Sequence, residues 1–543
     1  MLQPAEDRKS LVAILLLAAA FFFPFLGAYT LFDWDEINFA ESSREMLLTG
    51  NLFSVTVNFE PFMEKPPLFF WLQSLSYSAF GVNEFAARFP NAVFGILTLW
   101  LLYSTGRRIR DTRFALIWPL VYLASLLPHL YFRSGIIDPV FNFFIFLSVI
   151  YLIRGVTEKK NGFFLASGLF SGLSVLTKGP VGLLLLVLTW FAAFALKRKQ
   201  VLPSGKAFCF FALAFAVSTF AWYGPETLRN GPVFLLEFIK YQIDLFLNPV
   251  AGHKQFLLYH FLVVFLGCFP LSIFGLGELL RTHYPEKDGF RFWMVVLFWV
   301  VMILFTIVTT KIVHYSSMAY LPLSFLAASF LSRSTDGLSV LVRGLRIAFL
   351  AVGTILTGAI VLLPIAGVFR EHLLPFIADE FTRASFSREV NWSGWEACSG
   401  AFFAIGIVMG YRMLRRGKVI PALFSMAVGT GITLSFYAFL VIPRIEDHSQ
   451  GPLIDFCWEL KGKDLYFVPV GFKTYAIYFY AEVDQNGVKT KRDPSALLQE
   501  AQEIPVYAVA KVSNKNVLKD YPLLEEIKTD GGYRFFRQKK INR

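Results

Sequence analysis

Charged links cut this chain into a series of apolar runs, each close to the length a helix needs to cross a bilayer. A helix rises about 1.5 Å per residue, so about 20 apolar residues span the hydrocarbon. Runs of this kind occupy 11–29, 84–105, 114–130, 139–153, 163–177, 180–196, 207–223, 256–276, 292–308, 313–331, 347–368, 400–411 with its flanks, and 420–442. The length rule predicts about 13 spans. Composition agrees: 55% of the 543 residues are hydrophobic and 17% are charged, against about 25% charged in soluble proteins. Such a surface faces lipid. The first run has no small-residue cleavage site before charged sequence, so it reads as a retained anchor.

The net charge of +12 would suit nucleic acid if it formed one face of a soluble domain. It lies instead in short links between the runs: RKS near the start, 107–113, 154–160, 197–200, 281–291, Arg333 and 412–418. Topology rules put such links in the cytoplasm, and nucleic acid is not an expected partner. The opposite side then carries 31–83, 131–138, 177–180, 224–255, 309–314, 369–396 and the C-terminal segment. Two domains follow, a transmembrane one over 1–443 and a soluble extracytoplasmic one over 444–543. The second alternates strand-like runs (465–470, 506–512, 533–537) with helical patterns (494–503, 518–527), the mark of a small α/β domain. Four scattered cysteines give no metal or disulfide framework, although Cys398 and Cys457 both fall near the outer face.

Chemistry gathers in the outer links. The first opens FDWDEINFAESSREMLLTGN, where Asp33 or Asp35 stands as a helix cap and the helix ends near Thr49–Gly50. With Glu36 the same acids form a cluster at the outer end of the first run. Helical spacing sets Phe39, Met46 and Leu47 on one side and Glu41, Ser42 and Glu45 toward another, as in a helix lying along the interface. In FMEKPPLFFWLQSL, Pro66–Pro67 break any helix and present Glu64 and Lys65 beside an aromatic interfacial helix from Leu68 to about Phe80. Lys65 is either a snorkelling interface lysine or a point charge for a lipid phosphate. Three further links carry Asp138 (RSGIIDPV, with Arg133 upstream), Lys178 (LTKGPVG), and Lys311, His314 and Tyr315 (TTKIVHYSSMAYLP). Each alone is an ordinary charged helix end. Together on one face they describe a site for an anionic, lipid-linked substrate.

The strings DEINFAESSREMLLTGN, FMEKPPLFFWL, GVNEFAARFPNAVFG, RSGIIDP, LTKGPVG, AGH and KIVHYSSMAYLPL, in this order, resemble the C-type-fold integral membrane glycosyltransferases. The likeness is to the bacterial 4-amino-4-deoxy-L-arabinose transferase group, related to the protein O-mannosyltransferases. It is strongest over 33–181 and returns near Gly252 and Lys311. The resemblance implies an inverting transferase in the bacterial inner membrane with its site on the periplasmic side. The donor would be a sugar on polyprenyl (undecaprenyl) phosphate, possessing its own leaving group. The acceptor would be lipid A-type or another envelope glycan or protein. Asp35 becomes the catalytic carboxylate and Asp138 the second acid. Glu36, Glu64, Lys65, Lys178, Lys311, His314 and Tyr315 become substrate-binding residues. No catalytic cofactor is expected; Glu64 and His253 correspond to positions associated with a structural, zinc-like divalent metal. The chain departs from the group at YQIDLF (241–246), where an arginine followed by phenylalanine is expected, with only Arg44 and Lys240 nearby in sequence.

Two other classes compete. A lipid or sugar transporter shares the hydropathy, but ion-coupled transporters place acids and lysines near the midplane, and these runs nearly lack them. A scaffold acting through its soluble tail leaves the EKPP loop and the dispersed outer acids without a role.

Overall fold

Backbone inside a bilayer has to satisfy its own hydrogen bonds, so each apolar run becomes helix. The computed structural model describes residues 5–197, 201–247, 255–281, 289–333, 343–484, 487–491 and 493–539. Ten of the runs are covered by the helices Ala5–Phe22, Glu84–Ile109, Asp138–Glu158, Asn161–Lys178, Val181–Lys197, Gly205–Asn230, Gly289–Ile307, Arg343–Val368, Ser399–Arg415 and Val419–Phe436. Among the described residues, seven helices are long and apolar enough to cross a membrane, and eight if one bent pair counts as a single span. The chain is a multi-pass helical membrane protein. Small residues allow close crossings: a Cβ on Gly406 would lie 2.9 Å from the Cα of Gly429, so Ser399–Arg415 and Val419–Phe436 meet backbone to backbone.

The other three runs are interrupted, and the breaks have physical causes. The 114–130 run divides into Thr112–Leu123 and Leu126–Tyr131, with the Leu126 N–H turned outward to the Phe269 carbonyl. The 256–276 run is not one straight span: Tyr259–Gly267 and Leu271–Leu279 meet at 117°, where Pro270 removes a helical donor. The 313–331 run begins as a 3-10 segment, Val313–Ala319, before the helix Tyr320–Ser332. All three breaks leave irregular backbone inside the protein, where polar groups can be aimed.

The helix Asp35–Thr49 starts and stops where the sequence places it, closed by Gly50 in the left-handed conformation (φ 67°). It does not lie free along the interface. Its polar face is buried between the membrane helices and the C-terminal domain: Arg44 forms a bidentate pair with Glu41 and donates 2.7 Å to the Val483 carbonyl. Glu45 accepts from the Thr56 hydroxyl at 2.5 Å and the Phe59 N–H at 3.1 Å, holding a small hairpin, β1 (Thr56–Val57) and β2 (Glu60–Pro61). Polar periodicity marks a wet face only when no polar partner covers it. Leu68–Phe80 follows the hairpin.

The helix from Val419 continues past residue 443 to His448. Beyond Gly451–Leu460 comes a mixed sheet of β3 (Leu465–Val470), β4 (Val488–Lys489), β5 (Val506–Lys511), β6 (Leu524–Asp530) and β7 (Tyr533–Gln538), ordered β4-β3-β5-β7-β6. The helix expected over 518–527 is mostly absent. Val517–Asp520 makes one turn, and Leu524–Asp530 pairs antiparallel with β7. Pro522 ends the helix, and Gly531 (φ 52°) supplies the hairpin turn.

Candidate active site

The ends of these elements that carry the acidic links surround a cavity of about 990 Å³, large for a small-molecule pocket. It is lined by Asp35, Glu36, Glu64, Lys65, Asp138, Lys178, His314 and Tyr315, with an apolar flank that includes Leu127, Leu184, Leu304 and Val308. Segments as far apart in the chain as those of Tyr29 and Tyr475 thus share one cavity.

A histidine stands between Asp35 and Asp138. His314 Nε2 stands 3.6 Å from Asp35 Oδ2 and 3.8 Å from Asp138 Oδ2. The 3-10 segment at 313–319 makes this reach possible, since it keeps the histidine off the regular helix that follows. Asp138 opens its helix with Pro139 behind it and is almost fully buried. Lys178 Nζ donates to its Oδ1 at 2.6 Å, and Ser317, itself receiving a bond from Asn142, donates at 3.4 Å. Lys178 is aimed by a tight turn: Gly179 has φ 100°, and a Cβ there would lie 2.6 Å from the Phe238 ring. Asp35 is different. Its side chain is 43% exposed to the cavity, so it is the carboxylate free to meet a substrate.

Lys65 extends into the same space over the Tyr241 ring, 5.3 Å from its centre. The Tyr241 hydroxyl donates to Glu64 Oε2 at 2.9 Å. Burial draws the Lys65 ammonium below the ordinary lysine range, and Glu64 and Asp35 pull the other way. Lys65 has no salt bridge among the described residues, so its charge is open to an anion.

Two sequence candidates are held by other groups of the protein. Lys311 does not line the cavity; its ammonium donates to the carbonyls of Thr306 (2.8 Å) and Val308 (3.0 Å), capping the helix Gly289–Ile307. Glu36 lies at the cavity wall, but Arg88 binds both its oxygens, at 3.0 and 2.8 Å, and the Phe32 and Gly135 N–H groups donate to it. It fixes the start of the Asp35 helix. Arg44 is spent on Glu41, away from the cavity. His253 lies outside the described residues, and among these no group of three or more His, Cys, Asp or Glu side chains is placed to hold a metal.

Sequence reasoning missed the contribution of the C-terminal domain. Lys473 and Tyr475 line the cavity together with Asp33 and Trp34. Asp33 caps nothing; it accepts from the Thr474 hydroxyl at 2.7 Å and the Tyr475 N–H at 3.2 Å. Burial raises its pKa against those two bonds. Nothing local in FKTYAIYF announces this role.

The fold is similar to that of the C-type integral membrane glycosyltransferases. ArnT from Cupriavidus metallidurans superposes with a TM-score of 0.76 at 19% identity, in the crystal structure bound to undecaprenyl phosphate (97% of each chain) and in the apo state (98% of each). Residues 64–223 match the model of the dolichyl-phosphate-mannose-protein mannosyltransferase family.

Within that class the sequence is similar to the aminoarabinose transferases. The undecaprenyl phosphate-alpha-4-amino-4-deoxy-L-arabinose arabinosyl transferase 1 of Proteus mirabilis is 28% identical over 333 residues, 59% of this chain and 58% of that one. The corresponding transferase of Edwardsiella ictaluri is 25% identical over 503 residues, 86% and 87% of the two chains. An uncharacterized protein of Aquifex aeolicus is 29% identical over 313 residues, 58% of this chain and 62% of that one. The chain spans about three fifths or less of the length of the first relatives, 53–62%.

Proposed function

We propose that this protein is an inverting glycosyltransferase that moves a sugar from a polyprenyl phosphate to an envelope acceptor at the outer face of the bacterial inner membrane. The observation that carries the reading is the cavity itself: one exposed carboxylate, Asp35, faces an unpaired ammonium, Lys65, beside an apolar flank suited to a prenyl chain. The similarity to aminoarabinose transferases supports 4-amino-4-deoxy-L-arabinose as the sugar and a lipid A-type acceptor.

In the reaction, the bond between the anomeric carbon and the donor phosphate breaks while an acceptor oxygen attacks from the opposite face. The polyprenyl phosphate departs with the electron pair. Lys65 stabilises that growing charge in a cavity poor in water, where one well-aimed donor is worth about a hundredfold or more in rate. Asp35 orients the acceptor and takes its proton when the nucleophile is a hydroxyl; a phosphate nucleophile needs only orientation. His314 holds Asp35 in register with Asp138, and Lys178 balances the charge of Asp138.

The test is transfer in proteoliposomes from undecaprenyl phosphate-linked aminoarabinose, with product read by mass spectrometry. Asp35→Asn should lower turnover about a thousandfold in a protein of unchanged thermal stability, and Lys65→Ala should raise the donor KM. Full transfer by the Asp35→Asn protein ends the proposal. A second reading, mannosyl transfer to a hydroxyl acceptor, draws on the family-model match over 64–223; substituting a polyprenyl phosphate mannose donor in the same assay separates the two.

A further inference from the structure

The cavity has a second open cation, and the proposed reaction as derived gives it nothing to do. Of the three lysines lining the cavity, Lys178 is bonded to Asp138 at 2.6 Å. Lys65 faces the donor phosphate. Lys473 is exposed and, among the described residues, has no carboxylate within salt-bridge distance.

Its surroundings are built. The ammonium lies 4.8 Å from the centre of the Trp34 ring and 4.9 Å from that of Tyr475. The two rings stand nearly perpendicular, 77° apart, with centres separated by 5.7 Å. Tyr475 is buried while Trp34 is 43% exposed, so the indole presents a free face. Asp33 fixes the assembly from below through Thr474 and the Tyr475 backbone. Trp34 is the chain neighbour of Asp35. Both side chains line the same cavity.

Aromatic surface left open binds the C–H face of a sugar ring, and an ammonium lying over the ring binds an anion beside it. We infer that Trp34, Lys473 and Tyr475 form the acceptor subsite, and that it selects a sugar bearing a phosphate. This rests on the transferase reading for its purpose, but the chemistry belongs to the C-terminal domain and not to the donor pocket. One lysine per anion follows: Lys65 for the phosphate that leaves, Lys473 for the phosphate that stays with the acceptor.

Binding tests the subsite without turnover. The full-length protein in nanodiscs is titrated with a short-chain diglucosamine lipid phosphorylated at both ends, with the same lipid lacking phosphates, and separately with undecaprenyl phosphate. The wild type should favour the phosphorylated lipid about tenfold, the scale of one charge-assisted hydrogen bond at a solvated rim. Lys473→Met should reduce that preference to within about twofold, leave undecaprenyl phosphate binding unchanged, and be rescued by Lys473→Arg. An undiminished preference in Lys473→Met overturns the inference, and so does wild-type protein that binds neither lipid. Loss of undecaprenyl phosphate binding in Lys473→Met would reassign the lysine to the donor and also overturn it. Failure of the transferase reading shows itself elsewhere, in the Asp35→Asn transfer assay.

Discussion

Arg88 is the side chain whose removal should do the most damage at the greatest distance from the chemistry. It is fully buried, as is Glu36 at 2% exposure, and the pair meets at 2.8 Å. The same guanidinium donates to the carbonyls of Leu26 (2.7 Å), Tyr29 (2.9 Å) and Thr30 (2.9 Å) and lies 3.9 Å from the centre of the Tyr29 ring. Arg88→Met keeps much of the volume but strands a buried carboxylate and three carbonyls. Removing one partner of such a pair costs about 3–5 kcal/mol. Glu36 is the residue after Asp35, so its release also frees the proposed catalytic helix start. Thermal unfolding of the purified protein in detergent should show a large loss of stability, and transfer should fall with it even at temperatures where the variant stays folded. The double variant Glu36→Gln/Arg88→Met should recover part of the stability, because no unpaired charge remains. An Arg88→Met protein within about 1 kcal/mol of wild type, with normal turnover, would refute the view that this pair sets the position of Asp35.

Lys178→Met should leave Asp138 without its cation and lower kcat about a hundredfold, with the donor KM changing less; proteoliposome kinetics separate the two. Glu45 is the site for a pH test: burial lifts its carboxyl to about 7 from the ordinary 4.5, with neighbouring Glu41 adding to the rise. The folded protein therefore holds a proton that the unfolded chain releases above pH 4.5, so stability falls as pH climbs from 4.5 to 7, by about 3 kcal/mol in total. Unfolding temperatures measured across that range should slope downward in the wild type and lose this component in Glu45→Gln; an unchanged slope in the variant would assign it to other groups.

Several elements of the site were legible because their signals are local. Pro66–Pro67 had to end in a rigid corner, so the EKPP segment and the helix from Leu68 were readable. Asp138 before Pro139 had to open a helix, and Lys178–Gly179–Pro180 had to turn. Other signals misled for a common reason. Lys311 has the composition of a ligand, yet four residues earlier a helix ends and its carbonyls need donors. Glu41 and Glu45 look wet by periodicity, yet Arg44, Val483 and the β1–β2 hairpin cover them. The edge strand β6 reads as helix because the pairing that makes it a strand comes from β7.

The sequence alone determined that the chain spans a membrane many times and where each polar group enters the links between spans, because hydrophobic length acts within one segment at a time. Only the tertiary structure decided which of those groups meet. Asp35, Asp138 and His314 come from three distant segments, and Lys473 comes from another domain. Their convergence depends on broken helices, on the buried Glu36–Arg88 pair and on the Asp33 bond to Thr474, features that no local pattern encodes.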